Sequence, residues 1–336
     1  MNRKVVSLLT IIVCGVLALG IMPPSVLSAE PIVLKAGGAW PKATASVKVY
    51  FDFFDIVNEL SNGQLQIEWV GGPEFVKVRD LPTSAAVGTI DVFQCSDGYL
   101  AGSVPEGAIA DAYPMYRSYE NAVEGYYNVL EIVSPIFEQK LKIKPIGQTL
   151  FFPFFLWTKQ PVRKMEDIEG LKIRGHGGLV PFIISELGGS PVTTPTEEVY
   201  MALERGIIDG AVRNLPAFNS FKEYEFAKYG VSIPVTWATA DIFISLKSWN
   251  KLPKDLQNVL WEAGKKITEL NAKHWKKMDQ VFMKKFPEQG VTFFDPPESM
   301  EKVWREKVIK GANKGANDLS PKYAEKIINA FKEAAQ

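Results

Sequence analysis

The order of strands and helices in the first third of the sequence constrains the fold most. Apolar segments with strand character alternate with amphipathic helical segments, and turn residues such as Asn62-Gly63 separate them. Because strands that alternate with helices usually pair in parallel, this order predicts an α/β sheet flanked by helices. The predicted elements are strands at Ile32–Ala36, Leu65–Val70 and Ile90–Gln94 and helices at Val47–Leu60 and Leu81–Val87.

The same order begins again after Gly170. Thr194-Pro195-Thr196-Glu197 predicts the start of a helix, because it combines a capping box with proline at the first helical position. The chain has 336 residues, about twice the usual domain length, so two lobes are expected. The predicted elements here are strands at Leu171–Arg174, Ser190–Thr193 and Ile207–Val212, a helix at Val180–Leu187, and a long helix from Lys254 to about Phe286.

The first 29 residues have the layout of a signal peptide. Asn2-Arg3-Lys4 is positively charged, Val5–Met22 is apolar, and a proline pair at Pro23-Pro24 ends the apolar run. Small residues in Val26–Ala29 suit cleavage before Glu30. We therefore expect an exported, periplasmic protein whose signal peptide is removed. The alternative is an uncleaved membrane anchor, since the apolar run approaches the length of a bilayer span.

Composition limits the partners of the mature chain. Cleavage would leave Cys95 as its single cysteine, which excludes a scaffold held together by internal disulfides. Removing Arg3 and Lys4 takes the 38 basic residues to 36, against 38 acidic residues. The basic residues are scattered, so no nucleic-acid partner is expected. No other segment of the sequence is apolar enough to span a membrane, so the mature protein should be soluble.

Signatures of enzymes and metal sites are scarce. His176 and His274 are the two histidines, and neither stands at a metal-ligand spacing with the other or with Cys95. The sequence contains no nucleophile elbow, P-loop or dinucleotide fingerprint. We therefore expect no catalytic residues, no metal and no cofactor. Gly175-His176-Gly177-Gly178 has the wrong spacing for a phosphate cradle and is better suited to let the backbone approach a bound ligand.

Arg174 is the first candidate for ligand binding. It ends a predicted strand, and ligands of open α/β sheets bind outside the carboxyl ends of strands. A guanidinium donates two parallel hydrogen bonds to a carboxylate and keeps its charge. Arg213 and Asn214 end the next strand and would supply a second contact. The alternatives are a salt bridge for Arg174 and a solvated loop for the other two.

Aromatic residues are the second group of candidates. The segment Phe151–Trp157 contains four phenylalanines around Pro153 and predicts a buried strand pair. Because side chains alternate along a strand, Phe152 and Phe154 share one face, which would line a cavity. Further predicted contacts are Trp40 after a glycine pair, Trp237 at a turn before the strand Ile242–Ser245, and the hydroxyl of Ser96.

Four segments carry a family resemblance that covers nearly the whole mature chain. They are VGTIDVFQCSDGYLAG at Val87–Gly102, EDIEGLKIR at Glu166–Arg174, EEVYMALERGIIDG at Glu197–Gly210 and SWNKLPKDLQNVLWEAG at Ser248–Gly264. In combination they resemble the periplasmic solute-binding proteins of tripartite ATP-independent periplasmic (TRAP) transporters. The resemblance implies two α/β lobes that close over an organic acid, crossing strands between them, and a long helix that spans both.

The resemblance also implies lobe boundaries and partners. Lobe I would comprise residues 30–151 and about 240–279, and lobe II residues 152–239 and about 280–336. The closed protein, expected to be a monomer, would deliver its ligand to the membrane subunits of the transporter. The competing functions are a ligand sensor that feeds a receptor and an exported hydrolase or isomerase of organic acids.

Two departures from the family pattern bear on the ligand. The resemblance implies that Arg174 pairs with the ligand carboxylate. Where many members have a second arginine this chain has Pro153, and where the family usually has asparagine it has Arg213, with Asn214 one place later. The lost arginine and the phenylalanines favour a carboxylate with an apolar or aromatic body. The alternative is a dicarboxylate, because Arg213 would suit a second carboxylate.

Overall fold

The computed structural model describes residues 30–114, 116 and 118–334, with the side chains of residues 150–152 left out. The predicted signal peptide lies outside the described residues. The described strands are β1 (Ile32–Gly38), β2 (Leu65–Gly71), β3 (Val92–Cys95), β4 (Ile143–Thr158), β5 (Lys172–Gly175), β6 (Ser190–Thr193), β7 (Gly210–Asn214), β8 (Tyr229–Val231), β9 (Thr236–Ser245) and β10 (Thr292–Phe294).

Helices cover both faces of the sheet that these strands form. The described α-helices are α1 (Ala45–Leu60), α2 (Leu81–Val87), α3 (Pro105–Ala112), α4 (Tyr119–Leu141), α5 (Val180–Leu187), α6 (Val199–Glu204), α7 (Leu215–Ser220), α8 (Leu246–Trp249), α9 (Lys254–Lys285), α10 (Glu298–Leu319) and α11 (Ala324–Ala334). Among the described residues, no helix is both long enough and apolar enough to cross a membrane.

The sheet confirms the predicted α/β class. Its strand order is β2-β1-β3-β9-β4-β7-β5-β6, and β8 joins β4 to β10. In the first half β1 pairs in parallel with β2 and β3, and in the second half β5 pairs in parallel with β6 and β7. The parallel strands therefore form two groups, as the repeated order of strands and helices predicted.

Strands β4 and β9 join the two groups of parallel strands. They pair antiparallel from Ile143 opposite Ser245 to Phe154 opposite Thr236. Strand β9 also pairs with β3, and the end of β4 from Phe154 to Thr158 pairs with β7. A backbone ladder therefore connects the two halves of the molecule, with register shifts between Pro145 and Gly147 and between Gln148 and Leu150.

The long helix predicted from Lys254 is confirmed as α9. It crosses β4 at a point where Gly264 of the helix meets Gly147 of the strand. The backbone N–H of Gln148 donates to Thr268 Oγ1 at 3.0 Å, and Thr268 Oγ1 donates to the Gly264 carbonyl at 2.8 Å. Helix and strand thus touch backbone to backbone, and the threonine hydroxyl fixes the contact.

Two local predictions were wrong. The helix expected from the Thr194 capping box begins later, with a 3₁₀ turn at Thr196–Glu198 before α6, and neither start has a side-chain cap. Arg174 holds this segment instead, because it donates to the backbone carbonyl of Thr194 and to Oγ1 of Thr196. Trp237 does not lie at a turn but inside β9, whose residues are all buried, because β4 provides a pairing partner opposite it.

The residue boundaries of the two expected lobes stay a prediction. Helix α10 packs against α5, within the part assigned to lobe II. Helix α11 packs against α4, which belongs to the part assigned to lobe I, and Phe331 stacks on Tyr113 at a ring distance of 4.9 Å. The C-terminal segment therefore contacts both of the predicted lobes.

Candidate functional site

Arg174 lies at the carboxyl end of β5 and is 3% exposed. Its Nε donates to the carbonyl of Thr194 at 3.0 Å, and its Nη2 donates to Thr196 Oγ1 at 3.3 Å. Its Nη1 has no hydrogen-bond partner among the described residues. Burial and the charge of Arg213 lower the pKa of Arg174 to about 10, so the guanidinium remains charged at neutral pH. A buried cation with a free donor is suited to bind an anion.

His176 follows Arg174 by two residues and lies beside it. Its ring is 4.7 Å from that of Phe154, and neither ring nitrogen has a partner among the described residues. Burial, with the charges of Arg174 and Arg213, lowers the pKa of His176 to about 3. The imidazole is therefore neutral at physiological pH, and it offers one donor and one acceptor without adding charge.

The guanidinium of Arg213 is already paired. Its Nε donates to Glu223 Oε2 at 2.9 Å, and its Nη2 lies 2.7 Å from Glu223 Oε1. The side chain of Arg213 is 3% exposed and that of Glu223 is fully buried. The guanidinium carbon also lies 5.3 Å from the centre of the Phe221 ring. Arg213 thus stands near Arg174 but carries its own counter-ion.

Asn214 and the phenylalanines of β4 have distinct environments. Asn214 Oδ1 accepts from the backbone N–H of Ala217 at 2.8 Å and so caps α7. Phe154 is opposite Asn214 in the sheet and contacts His176, whereas Phe155 points to a separate apolar cluster. The backbone of Phe152 pairs with β9, but its side chain lies outside the described part of the structure.

Tyr99 lies in the 3₁₀ turn that follows β3 and is 41% exposed. Burial of its hydroxyl raises the pKa of Tyr99, while the charge of Arg174 acts in the opposite direction. The half-buried ring of Trp40 lies 6.4 Å from the ring of Tyr99. Ser96 donates to Asp111 Oδ2 at 2.5 Å, so this hydroxyl hydrogen is engaged within the protein.

Trp237 contributes to an aromatic cluster at the junction of β4 and β9. Its ring lies edge-on to Tyr119 at 5.2 Å and to Tyr116 at 6.0 Å, and the residue is 4% exposed. Its Nε1 has no hydrogen-bond partner within the described residues. The role predicted for Trp237 as a wall of the binding cleft stays a prediction, with this indole N–H as its available donor.

The structure thus brings Arg174, Arg213 and Phe154 together at neighbouring strands, and it places Trp40 next to Tyr99. Sequence reasoning missed the side chains of His176, Tyr99 and Glu223 as parts of this site. The glycines around His176 drew attention to the backbone rather than to the imidazole. Tyr99 lies only three residues after Ser96, which was a usable signal. The ten-residue separation of Glu223 from Arg213 gave no signal, because a helix intervenes.

Comparison with known proteins decides the family. The sequence profile of the bacterial extracellular solute-binding proteins, family 7, matches residues 36–317. The chain belongs to this family. Its members are extracytoplasmic receptors that bind a solute and do not transform it, so this solute-binding protein is not an enzyme.

Individual relatives agree with the family. A solute-binding protein of Albidiferax ferrireducens is 25% identical over 322 residues, which cover 89% of this chain and 90% of the relative. Among solved structures, a TRAP periplasmic solute-binding protein of Desulfovibrio desulfuricans with bound sn-glycerol-3-phosphate is 20% identical, with a TM-score of 0.80. The match covers 91% of this chain and 98% of the other.

A second solved structure has the same fold. It is a TRAP periplasmic solute-binding protein of Rhodoferax ferrireducens with bound malonate, 23% identical, with a TM-score of 0.78. The match covers 90% of this chain and 98% of the other. These likenesses confirm the two-lobed fold with its long helix.

The neutral state of His176 predicts a pH dependence of stability. Its folded pKa of about 3 is below the ordinary value of 6.5, so the unfolded chain binds the proton first as pH falls. This residue stabilises the fold above pH 6.5, and the contribution is lost as pH falls towards 3. Between pH 6.5 and 5 the wild type should lose about 2 kcal/mol more than His176→Phe. Urea unfolding of both proteins measures this, and parallel curves would contradict a buried neutral imidazole.

Proposed function

We propose that this solute-binding protein captures an organic acid with one carboxylate and an apolar or aromatic body. It delivers the acid to the membrane subunits of a TRAP transporter. The free, buried Nη1 of Arg174 carries the proposal, because burying an unpaired charge is costly unless a ligand supplies its partner. In this proposal Arg174 anchors the carboxylate and His176 offers a neutral hydrogen bond next to it.

The charges around Arg174 support a single carboxylate. His176 is neutral, and the charge of Arg213 is balanced by Glu223. Arg174 forms no ion pair with a described residue, so one positive charge remains for the ligand. A monoanion neutralises that charge, whereas a second carboxylate would lie near Glu223 without a free cation.

Aromatic side chains support an apolar body for the ligand. Phe154 borders His176, and Trp40 lies beside Tyr99. In this proposal the rings of Tyr99 and Trp40 contact the ligand from the other lobe. Burial of apolar surface contributes roughly 25 cal/mol per Å², so a phenyl or branched alkyl group binds well among such residues. In this proposal Trp237 and Phe152 also contact the apolar body of the ligand.

Binding by closure follows from contacts on both sides of the ligand. A ligand that touches Arg174 in lobe II and Tyr99 in lobe I stabilises the form in which both are near. The proposed lobes are residues 30–151 with about 240–279, and residues 152–239 with about 280–336. The two proposed lobes already approach each other at Gly178. A Cβ added to this glycine would lie 3.3 Å from the carbonyl oxygen of Ala108.

A ligand panel tests the proposal. Thermal unfolding of the purified mature protein should shift upward with phenylacetate, 3-phenylpropionate or 4-methylvalerate, and less with succinate and malate. At a ligand concentration 100 times the dissociation constant the stabilisation is about 2.7 kcal/mol. Scattering at small angles should show a smaller radius of gyration in the saturated sample. Stronger stabilisation by succinate or malate would show that Arg213 receives a second carboxylate, and the proposed ligand class would be wrong.

A further inference from the structure

We propose that Glu223 is the specificity-determining residue that restricts this site to singly charged acids. The inference rests on the proposed function, because it assumes that Arg174 anchors a carboxylate. Glu223 would act through Arg213: it neutralises a guanidinium that would otherwise bind a second carboxylate of the ligand.

The geometry of the pair supports this role. Both oxygens of Glu223 engage Arg213, at 2.9 Å from Nε and 2.7 Å from Nη2, in the bidentate arrangement that carboxylates form with arginine. The backbone also holds Glu223 in place, since its carbonyl accepts from the N–H of Ala227 at 3.0 Å. The preceding Lys222 has a left-handed φ of 55°, which turns the chain back towards β7.

The surroundings explain why the counter-ion is needed. Arg213 and Arg174 are both 3% exposed, and burial together with the charge of Arg213 lowers the pKa of Arg174. Two unpaired guanidinium groups in one desolvated site would be unstable without two anionic partners. Burial raises the pKa of Glu223, and the charge and hydrogen bond of Arg213 oppose this shift. With Glu223 ionised, the site needs one external negative charge to become neutral.

Phe221 limits the freedom of the pair on another side. The guanidinium carbon of Arg213 lies 5.3 Å from the centre of the Phe221 ring. This contact, and the Trp157 Nε1 that donates to the Arg213 carbonyl at 3.0 Å, hold both the side chain and the backbone of Arg213. A ligand carboxylate would therefore have to displace Glu223 to reach the Nε and Nη2 donors of Arg213.

The test compares 3-phenylpropionate with phenylsuccinate, which has the same body and one more carboxylate. At pH 8 both carboxylates of phenylsuccinate are ionised. The wild type should prefer 3-phenylpropionate. Glu223→Gln keeps the size and a hydrogen-bond acceptor but removes the charge, so its affinity for phenylsuccinate should rise at least tenfold. Its affinity for 3-phenylpropionate should stay within threefold. No gain for phenylsuccinate would overturn the inference.

Glu225→Gln is the matched control. Glu225 lies in the same 3₁₀ turn but accepts from the exposed hydroxyl of Tyr200 at 2.6 Å, away from Arg213. Its affinities for the two acids should equal those of the wild type. An equal gain for phenylsuccinate in this variant would mean that any lost surface charge suffices, and the role of Glu223 would be refuted.

A double variant keeps the inference testable if Glu223→Gln alone unfolds. Arg213→Gln with Glu223→Gln removes both charges and leaves the net charge of the site unchanged. It should bind 3-phenylpropionate within threefold of the wild type and still reject phenylsuccinate. A tenfold loss for 3-phenylpropionate would show that Arg213 contacts the ligand directly, against the inference.

The same titrations separate this inference from the proposed function. If Arg174→Ala binds 3-phenylpropionate as the wild type does, the anchoring role is wrong and the proposed function fails. If Arg174→Ala no longer binds 3-phenylpropionate but Glu223→Gln shows no higher affinity for phenylsuccinate, Arg174 remains the anchor of the carboxylate. Only the proposed role of Glu223 is then wrong.

Discussion

Replacing Arg174 by alanine should weaken carboxylate binding by about 30-fold to several thousand-fold. The side chain is buried, and its Nη1 is free to pair with the ligand. Removing one partner of a desolvated charge pair costs about 2–5 kcal/mol, and each 1.4 kcal/mol is a factor of ten in affinity. Calorimetric titration with 3-phenylpropionate measures the loss.

A control variant and a fold measurement accompany this test. Arg205→Ala removes an exposed arginine from the end of α6 and should bind as the wild type does. Circular dichroism of Arg174→Ala should show a folded protein, because the lost hydrogen bonds to Thr194 and Thr196 join only one strand to one turn. If Arg174→Ala bound 3-phenylpropionate with an affinity within threefold of the wild type, Arg174 would not be a ligand-binding residue.

Gly264→Ala should destabilise the protein by roughly 3 kcal/mol or more, although alanine is the better helix former. A Cβ at this position would lie 1.6 Å from the carbonyl oxygen of Ile146 and 3.2 Å from the Cα of Gly147. Both obstacles are backbone atoms, so no side chain can rotate away, and α9 must move off β4. Helix propensity alone would favour alanine by about 1 kcal/mol.

Gly102→Ala is the matched control, because a Cβ there would meet no atom within 4 Å and φ is not left-handed. Thermal and urea unfolding of both variants measure the difference in stability. At about 2–4 °C per kcal/mol for a chain of this kind, Gly264→Ala should melt at least 6 °C below Gly102→Ala. Equal melting temperatures would mean that helix and strand are not in backbone contact.

Local signals explain what the sequence could predict. Helices α2 and α5 were predicted to the residue, because each ends at a glycine with left-handed φ, 94° at Gly88 and 107° at Gly188. The long helix followed from its apolar spacing, and Arg174 from the rule that ligands bind at the carboxyl ends of strands. These signals lie within one element and need no tertiary information.

The errors and omissions come from contacts between distant elements. Thr196 looked like part of a helix cap, but a strand arginine 22 residues earlier uses its hydroxyl. Trp237 looked like a turn residue, but β4 extends far enough to pair with it. The Arg213–Glu223 pair depends on how α7 and the following turn fold back. The sequence pattern does not show which of the nearby acidic residues pairs with Arg213.

The ladder between β4 and β9 has a consequence for how the receptor releases its ligand. Two strands joined by hydrogen bonds over this length resist sliding but can twist, so opening is a rotation about the ribbon. The backbone contact of α9 with β4 at Gly264 must be kept or broken as this ribbon twists. The observed affinity equals the intrinsic affinity scaled by the fraction of closed receptor. The energy needed to twist this ribbon therefore contributes to the balance between holding a solute in the periplasm and releasing it at the membrane.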